Sequence, residues 1–161
     1  MDSPKKTKIT DPKVALTKAE HYCAYQERSQ QEVRDKLYEW GLWPDAVENI
    51  IIELIGANYL NEERFANAYT KGKFKQKGWG RIKIKQGLKF KKVPDVLIKK
   101  ALLTIPGDDY LQMLEAVLTK KARTVAEKDK FKRSYKLQNY ALSRGFEGDL
   151  ISNALKELVS S

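Results

Sequence analysis

"GRIKIKQGLKFKKVPDVLIKKALLTI", residues 80–105, decides the fold, because its first half reads two ways. Ile82 and Ile84 stand two apart with lysines between them, which is the alternation of a half-buried strand. The rest of the chain settles the choice. Aligned without gaps to "SQQEVRDKLYEWGLWPDAVENIIIEL" (29–54) and "RSYKLQNYALSRGFEGDLISNALKEL" (133–158), the stretch keeps eight apolar columns. These are Val33/Ile84/Leu137, Leu37/Leu88/Ala141, Leu42/Val93/Phe146, Ala46/Leu97/Leu150, Val47/Ile98/Ile151, Ile50/Ala101/Ala154, Ile51/Leu102/Leu155 and Leu54/Ile105/Leu158. In the first copy, positions 33 and 37 and then 46, 47, 50, 51 and 54 follow the spacing of two amphipathic helices. Ile84 and Leu88 fall in the columns of Val33 and Leu37. The repeat therefore predicts a helix over Arg81–Lys91, weakened by Gly87 at about 1 kcal/mol relative to Ala.

Local signals agree with a helix pair in each copy. Ser29 with Glu32 makes a capping box, and Gly41 suits the left-handed residue after the first helix. Pro44 and Asp45 open the second helix, with Glu48 completing another box. A further helix precedes each pair: Val14–Glu27, Asn61 to about Gln76 and Asp108 to about Ala126, with Asn61 as N-cap and Glu62 and Glu63 on the dipole. The expected fold is all-α: three tandem three-helix units, set end to end in an elongated, curved row. The units span 14–56, 57–105 and 106–161, after a flexible tail at 1–13.

Charge is distributed unevenly along these units. The 161 residues carry a formal net charge of +10, yet the segment Arg64–Pro94 holds 11 basic residues and no acid. Everything outside it is close to neutral, and the first unit is acidic. A localised field of this kind is an electrostatic footprint for a polyanion, whereas evenly spread lysines would indicate only solubility. The segment supplies Lys71, Lys73, Lys75, Lys77, Arg81, Lys83, Lys85, Lys89, Lys91 and Lys92 as phosphate-contacting candidates, acting through counterion release. Trp79, between Gly78 and Gly80, either stacks on a base or partner side chain, or fills a gap between units. A second, weaker cluster includes Lys128, Lys130, Lys132, Arg133 and Lys136, diluted by Glu127 and Asp129.

Other chemistries find little support. Cys23 is the single cysteine and cannot form an internal disulfide, and no apolar run approaches the roughly 20 residues that span a bilayer. The basic, polar N-terminus lacks the apolar stretch of a signal peptide, so a cytoplasmic location is expected. His21 lies two residues before Cys23, on a different helix face, so neither a zinc set nor a Cys/His dyad is expected. Glu62 and Glu63 read as first-turn charges, and GWG is too short for a phosphate-cradling loop. No enzyme activity, metal or cofactor is expected.

"YLNEERFANAY" (59–69) followed by "KGWGRIKIKQGLKFKKV" (77–93) resembles the RecX family, regulators of the RecA recombinase. "SQQEVRDKLYEWGL" (29–42) and "YALSRGFEGDLISNAL" (140–155) match the first and last units of that pattern. Three positions depart from it: Arg81 where Pro is common, Gly87 where an acid is common, and Lys92 where the helix usually ends in Gly. The resemblance implies a non-enzymatic protein that lies in the groove of the RecA filament on single-stranded DNA. It further implies inhibition of the filament's ATPase, strand exchange and extension. The expected partners are that filament and single-stranded or double-stranded DNA, met by a monomer. Two alternatives stand beside it, a general nucleic-acid-binding helical protein and a helical scaffold that binds only protein.

Overall fold

The computed structural model describes residues 8–160. Among them the chain forms nine α-helices and no strand. They are α1 (Pro12–Tyr25), α2 (Gln30–Glu39), α3 (Pro44–Gly56), α4 (Glu62–Lys77), α5 (Arg81–Phe90), α6 (Asp95–Leu102), α7 (Gly107–Ala122), α8 (Lys130–Ser143) and α9 (Gly148–Ser160). The ambiguous stretch is helical, and all extensive helix packing stays within α1–α3, α4–α6 or α7–α9. An end-to-end row exposes more surface than a sphere. The 10814 Å² of accessible surface exceeds the roughly 8,200 Å² of a compact monomer of 18.5 kDa by about a third.

Local chemistry sets the helix ends. The side chains of Asp11, Ser29, Asn61 and Asp129 accept backbone N–H bonds at the starts of α1, α2, α4 and α8, and the Ser29–Glu32 capping box forms. The second box, expected at Asp45 and Glu48, does not. Trp43 stands at that N-cap with Pro44 behind it, and Glu48 instead binds Arg34 across the pair at 2.8 Å. α1 starts before Val14 because Asp11 caps it. α7 stops short of Ala126, where the Arg133 guanidinium takes the carbonyls of Ala122 (2.6 Å) and Val125 (2.7 Å). Of the stretch expected as a flexible tail, residues 1–7 lie outside the described residues. Ile9 packs on the first core and donates its N–H to the Trp40 carbonyl at 2.8 Å.

The repeat columns become the cores. Columns beginning at Val33, Leu37, Leu42 and Val47 are buried in all three units, and the other four are buried or half-buried. The turn inside each pair is closed by one recurring bond between two columns. Leu42 N–H donates to the Leu37 carbonyl (3.2 Å), Val93 to Leu88 (3.1 Å) and Phe146 to Ala141 (3.2 Å). The residue before each donor takes a positive φ: Gly41 at +101°, Lys92 at +60° and Gly145 at +96°. Lys92 is the one with a Cβ, in a conformation that costs an L-residue about 1–2 kcal/mol. Lys92→Gly gives back about 0.4–1 kcal/mol of that through the freer unfolded chain. It should therefore raise stability by roughly 0.5–1 kcal/mol, measured as a shift of the urea midpoint at constant m.

Gly87 has a local reason as well. A Cβ there would overlap the hydroxyl end of Tyr69 on α4, so the residue that weakens α5 is also what seats that ring.

The units are joined in two different ways. Ala15 to Leu60 form a core of their own, whereas Phe65 to Leu155 form one continuous core across α4–α9. The bridge is aromatic: Phe74 of α4 stacks on Tyr110 of α7 (6.0 Å), which meets Phe146 (5.3 Å). The first joint is polar. Arg64 pairs with Glu27, Lys91 pairs with Glu32 at 2.8 Å, and Glu62 accepts the Gln30 N–H at 3.0 Å. Burial pushes the Glu62 carboxyl up, against the opposing pull of that N–H.

Candidate nucleic-acid interface

The basic stretch occupies the second half of α4, the GWG turn and α5. Gly78 ends α4 in the left-handed region (φ +65°), with its N–H on the Phe74 carbonyl and that of Trp79 on the Lys73 carbonyl. Gly80 serves a close approach, but the approaching group belongs to the protein. A Cβ at Gly80 would overlap the Gly145 carbonyl, and Gly80 and Ile82 donate to the carbonyls of Arg144 (2.8 Å) and Gly145 (3.0 Å). The turn thus bolts the second unit to the third.

Trp79 is half-buried against the shared core. The ammonium groups of Lys73 and Lys83 lie 4.8 and 4.6 Å from its ring, cation–π contacts that hold both charges beside an aromatic face. Lys71, Lys75, Lys77, Lys85, Lys89 and Lys92 are exposed. Lys85 and Lys89, four apart on α5, share one exposed stripe, about a quarter turn from that of Ile84 and Leu88, which are fully buried. Within the second cluster Lys128, Lys130, Lys132 and Lys136 are exposed.

Four of the expected binding residues are engaged inside the protein. Arg81 binds Glu147 at 2.8 Å and lies over the Tyr110 ring, while its N–H donates to the Tyr110 hydroxyl at 3.0 Å. That hydroxyl in turn donates to Glu147. Burial, with Glu147 beside it, pushes the Tyr110 phenol well up, so it keeps its proton and closes the network. Lys91 is the strut to Glu32, Arg133 caps α7, and Lys136 pairs with Glu127 at 3.3 Å. Arg81 stands where the family pattern favours a residue without an N–H. Its partners Tyr110 and Glu147 lie outside the repeat columns and carried no signal in the sequence.

Cys23 is buried, and burial pushes its thiol up to about 11, which leaves little thiolate for nucleophilic chemistry. His21 is exposed. No group of three metal-ligating side chains occurs among the described residues, and no described helix is long and apolar enough to cross a membrane.

Fold and surface together define a tandem three-helix repeat protein, acidic in its first unit and strongly basic in its second. Models of the first, second and third three-helix domains of RecX match residues 15–54, 61–102 and 108–155. The chain belongs to the RecX family. It is 30% identical over 152 residues to the regulatory protein RecX of Prosthecochloris aestuarii, covering 94% of this chain and 98% of that one. Against the regulatory protein RecX of Bacillus licheniformis it is 32% identical over 151 residues, covering 91% of this chain and 56% of that one. The chain thus spans nearly all of the first relative and little more than half of the second. The crystal structure of RecX from Lactobacillus salivarius superposes with a TM-score of 0.84 at 24% identity, over 93% of this chain and 97% of that one, which shows the shared fold.

Proposed function

We propose that the protein is a non-enzymatic, cytoplasmic regulator of the RecA recombinase that binds, as a monomer, to the RecA filament on single-stranded DNA. Bound along the filament groove, it inhibits ATPase activity, strand exchange and extension. Family membership supports the partner. The observation that carries the mode of binding is the exposed pair Lys85 and Lys89 on α5, with half-buried Lys83 held beside them against Trp79, on a segment without an acid. Taken as 14–56, 57–105 and 106–161, the units form a row longer than one compact domain, suited to bridging neighbouring protomers. Lys71, Lys73, Lys75, Lys77 and Lys92 extend the contact, with Trp79 steadying Lys73 and Lys83. Lys128, Lys130 and Lys132 form a second anchor, and the acidic first unit turns from DNA toward basic protein surface.

Replacing Lys83, Lys85 and Lys89 by Gln tests this. The variant should bind the DNA-coated recombinase more weakly and relieve inhibition of its ATPase. If all three touch phosphate on a single strand, the slope of log K against log salt falls by about 2. Asp45→Asn with Glu53→Gln, exposed in the first unit, should leave the slope unchanged. Inhibition equal to the parent's with an unaltered slope would overturn the reading. Equal affinity for bare single strands and for the coated recombinase would favour a general nucleic-acid-binding protein, and recombinase binding that is the same with and without the strand a protein-only scaffold.

A further inference from the structure

A cleft of about 400 Å³ opens where the second and third units meet, beside the GWG turn. One side carries Lys75 and Lys77 from the end of α4, and the other Lys120 and Lys121 from the end of α7, with Arg144, the residue after α8, between the units. No acid lines it. Five cations gathered round one hollow repel one another, a cost that an anion removes. Arg144 supplies a second, independent observation: its Nε is buried and meets no acceptor among the described residues. Arg144 also lines the hollow, where the guanidinium can give charge-assisted N–H bonds to a phosphate oxygen.

The rest of the lining is apolar or aromatic. Met113 and Val117 of α7 pack on the shared core and show their outer surfaces to the cleft. Tyr140 of α8 stands beside them, with the Lys121 ammonium 4.7 Å from its ring. A volume of this size lies in the ~300–1,000 Å³ range of sites for small molecules and suits one nucleotide. A purely electrostatic track for a backbone has no use for a thioether, an isopropyl group and a phenol. Together with the cations, however, they match a unit that is a flat apolar ring at one end and an anion at the other.

We propose that this cleft holds one unstacked nucleotide of single-stranded nucleic acid, its base against Met113, Val117 and Tyr140 and its phosphate on Arg144 and the flanking lysines. The inference rests on the nucleic-acid reading of the α4–α5 surface and adds a site between units that the lysine row of α5 does not include. It makes strand binding depend on the joint between the second and third units, since neither alone lines the cleft.

Ala116, exposed on the cleft wall, allows a test without disturbing the core. Ala116→Glu and Ala116→Lys should fold alike, as circular dichroism can check, and place charges of opposite sign at one spot. The expected result, by fluorescence anisotropy with a labelled oligothymidylate, is about tenfold or more weaker binding for the Glu variant. The Lys variant should bind as well as the parent or better. An oligonucleotide of abasic sites with the same number of phosphates should bind the parent more weakly and lose its discrimination by base. A strand carrying 5-bromouracil should cross-link under ultraviolet light to peptides containing Met113 or Tyr140. Equal affinities of the two Ala116 variants, or cross-links confined to α5, would overturn the cleft while leaving the α5 surface intact. Equal binding of abasic and thymidylate strands would reduce the cleft to a phosphate track and likewise overturn the proposal. No binding of any single strand by the parent would remove the nucleic-acid reading itself.

Discussion

Gly145→Ala should lower stability by about 3 kcal/mol or more and separate the second unit from the third. Two costs combine at this position. The φ of +96° is one that an L-residue adopts only under strain, at about 1–2 kcal/mol. In addition, the new Cβ would stand 2.5 Å from the backbone nitrogen of Lys83 and 3.0 Å from its Cα, atoms of the first turn of α5 that cannot swing aside. Relief requires α5 to move away from the 144–146 turn, which breaks the bonds from Gly80 and Ile82 to the carbonyls of Arg144 and Gly145. Gly41→Ala provides the comparison. Its φ is +101°, but the nearest atom to its Cβ is Cγ of the long Lys8 side chain at 3.1 Å. It should cost only the conformational part, about 1–2 kcal/mol. Urea denaturation of the two variants measures the difference, and equal losses would show that backbone strain alone governs both turns.

Phe146→Ala should cost about 3–5 kcal/mol. The ring is fully buried, touches Tyr110 and belongs to the core that runs through both later units. Because that core is continuous, the loss should be felt from α4 to α9 and not only in α8 and α9. Leu42→Ala, in the same repeat column, opens a cavity in the separate first core and should cost about 2–5 kcal/mol confined to α1–α3. Hydrogen exchange read helix by helix distinguishes the two. Faster exchange in α4–α9 for the first variant and in α1–α3 for the second is expected; uniform acceleration in both would mean that the polar joint transmits unfolding as well as the aromatic one.

The sequence made the interior of each unit legible for a physical reason. Positions such as Val33, Ile84 and Leu137 face the same kind of neighbour three times, so their apolarity survives while local patterns vary. That recurrence outweighed the strand-like Ile82–Ile84 alternation and placed α5 within a residue of its end. Contacts between units do not recur in this way. Nothing in the columns distinguishes Arg81 and Lys91, which brace neighbouring units, from Lys85 and Lys89, which face outward, because each pairing depends on one residue of another unit, Glu147 or Glu32. For the same reason the separate first core and the fused second and third cores were invisible: Tyr110, the ring that joins them, has no counterpart in an aligned column. The cleft beside GWG was hidden too, since Lys75, Lys121 and Arg144 meet only once the units are docked.

The separation of the two cores also sets a timetable for synthesis. The first core draws on nothing beyond Leu60, so it can close while the rest of the chain is still being translated. The second cannot finish early: Phe74 waits for Tyr110, and Tyr110 for Phe146. At ~5–20 residues per second, elongation from Leu60 to Phe146 occupies roughly 4–17 s. Throughout that interval a finished acidic unit is tethered to an unfinished basic one, whose lysines emerge from the ribosome well before the acid Glu147 that Arg81 requires.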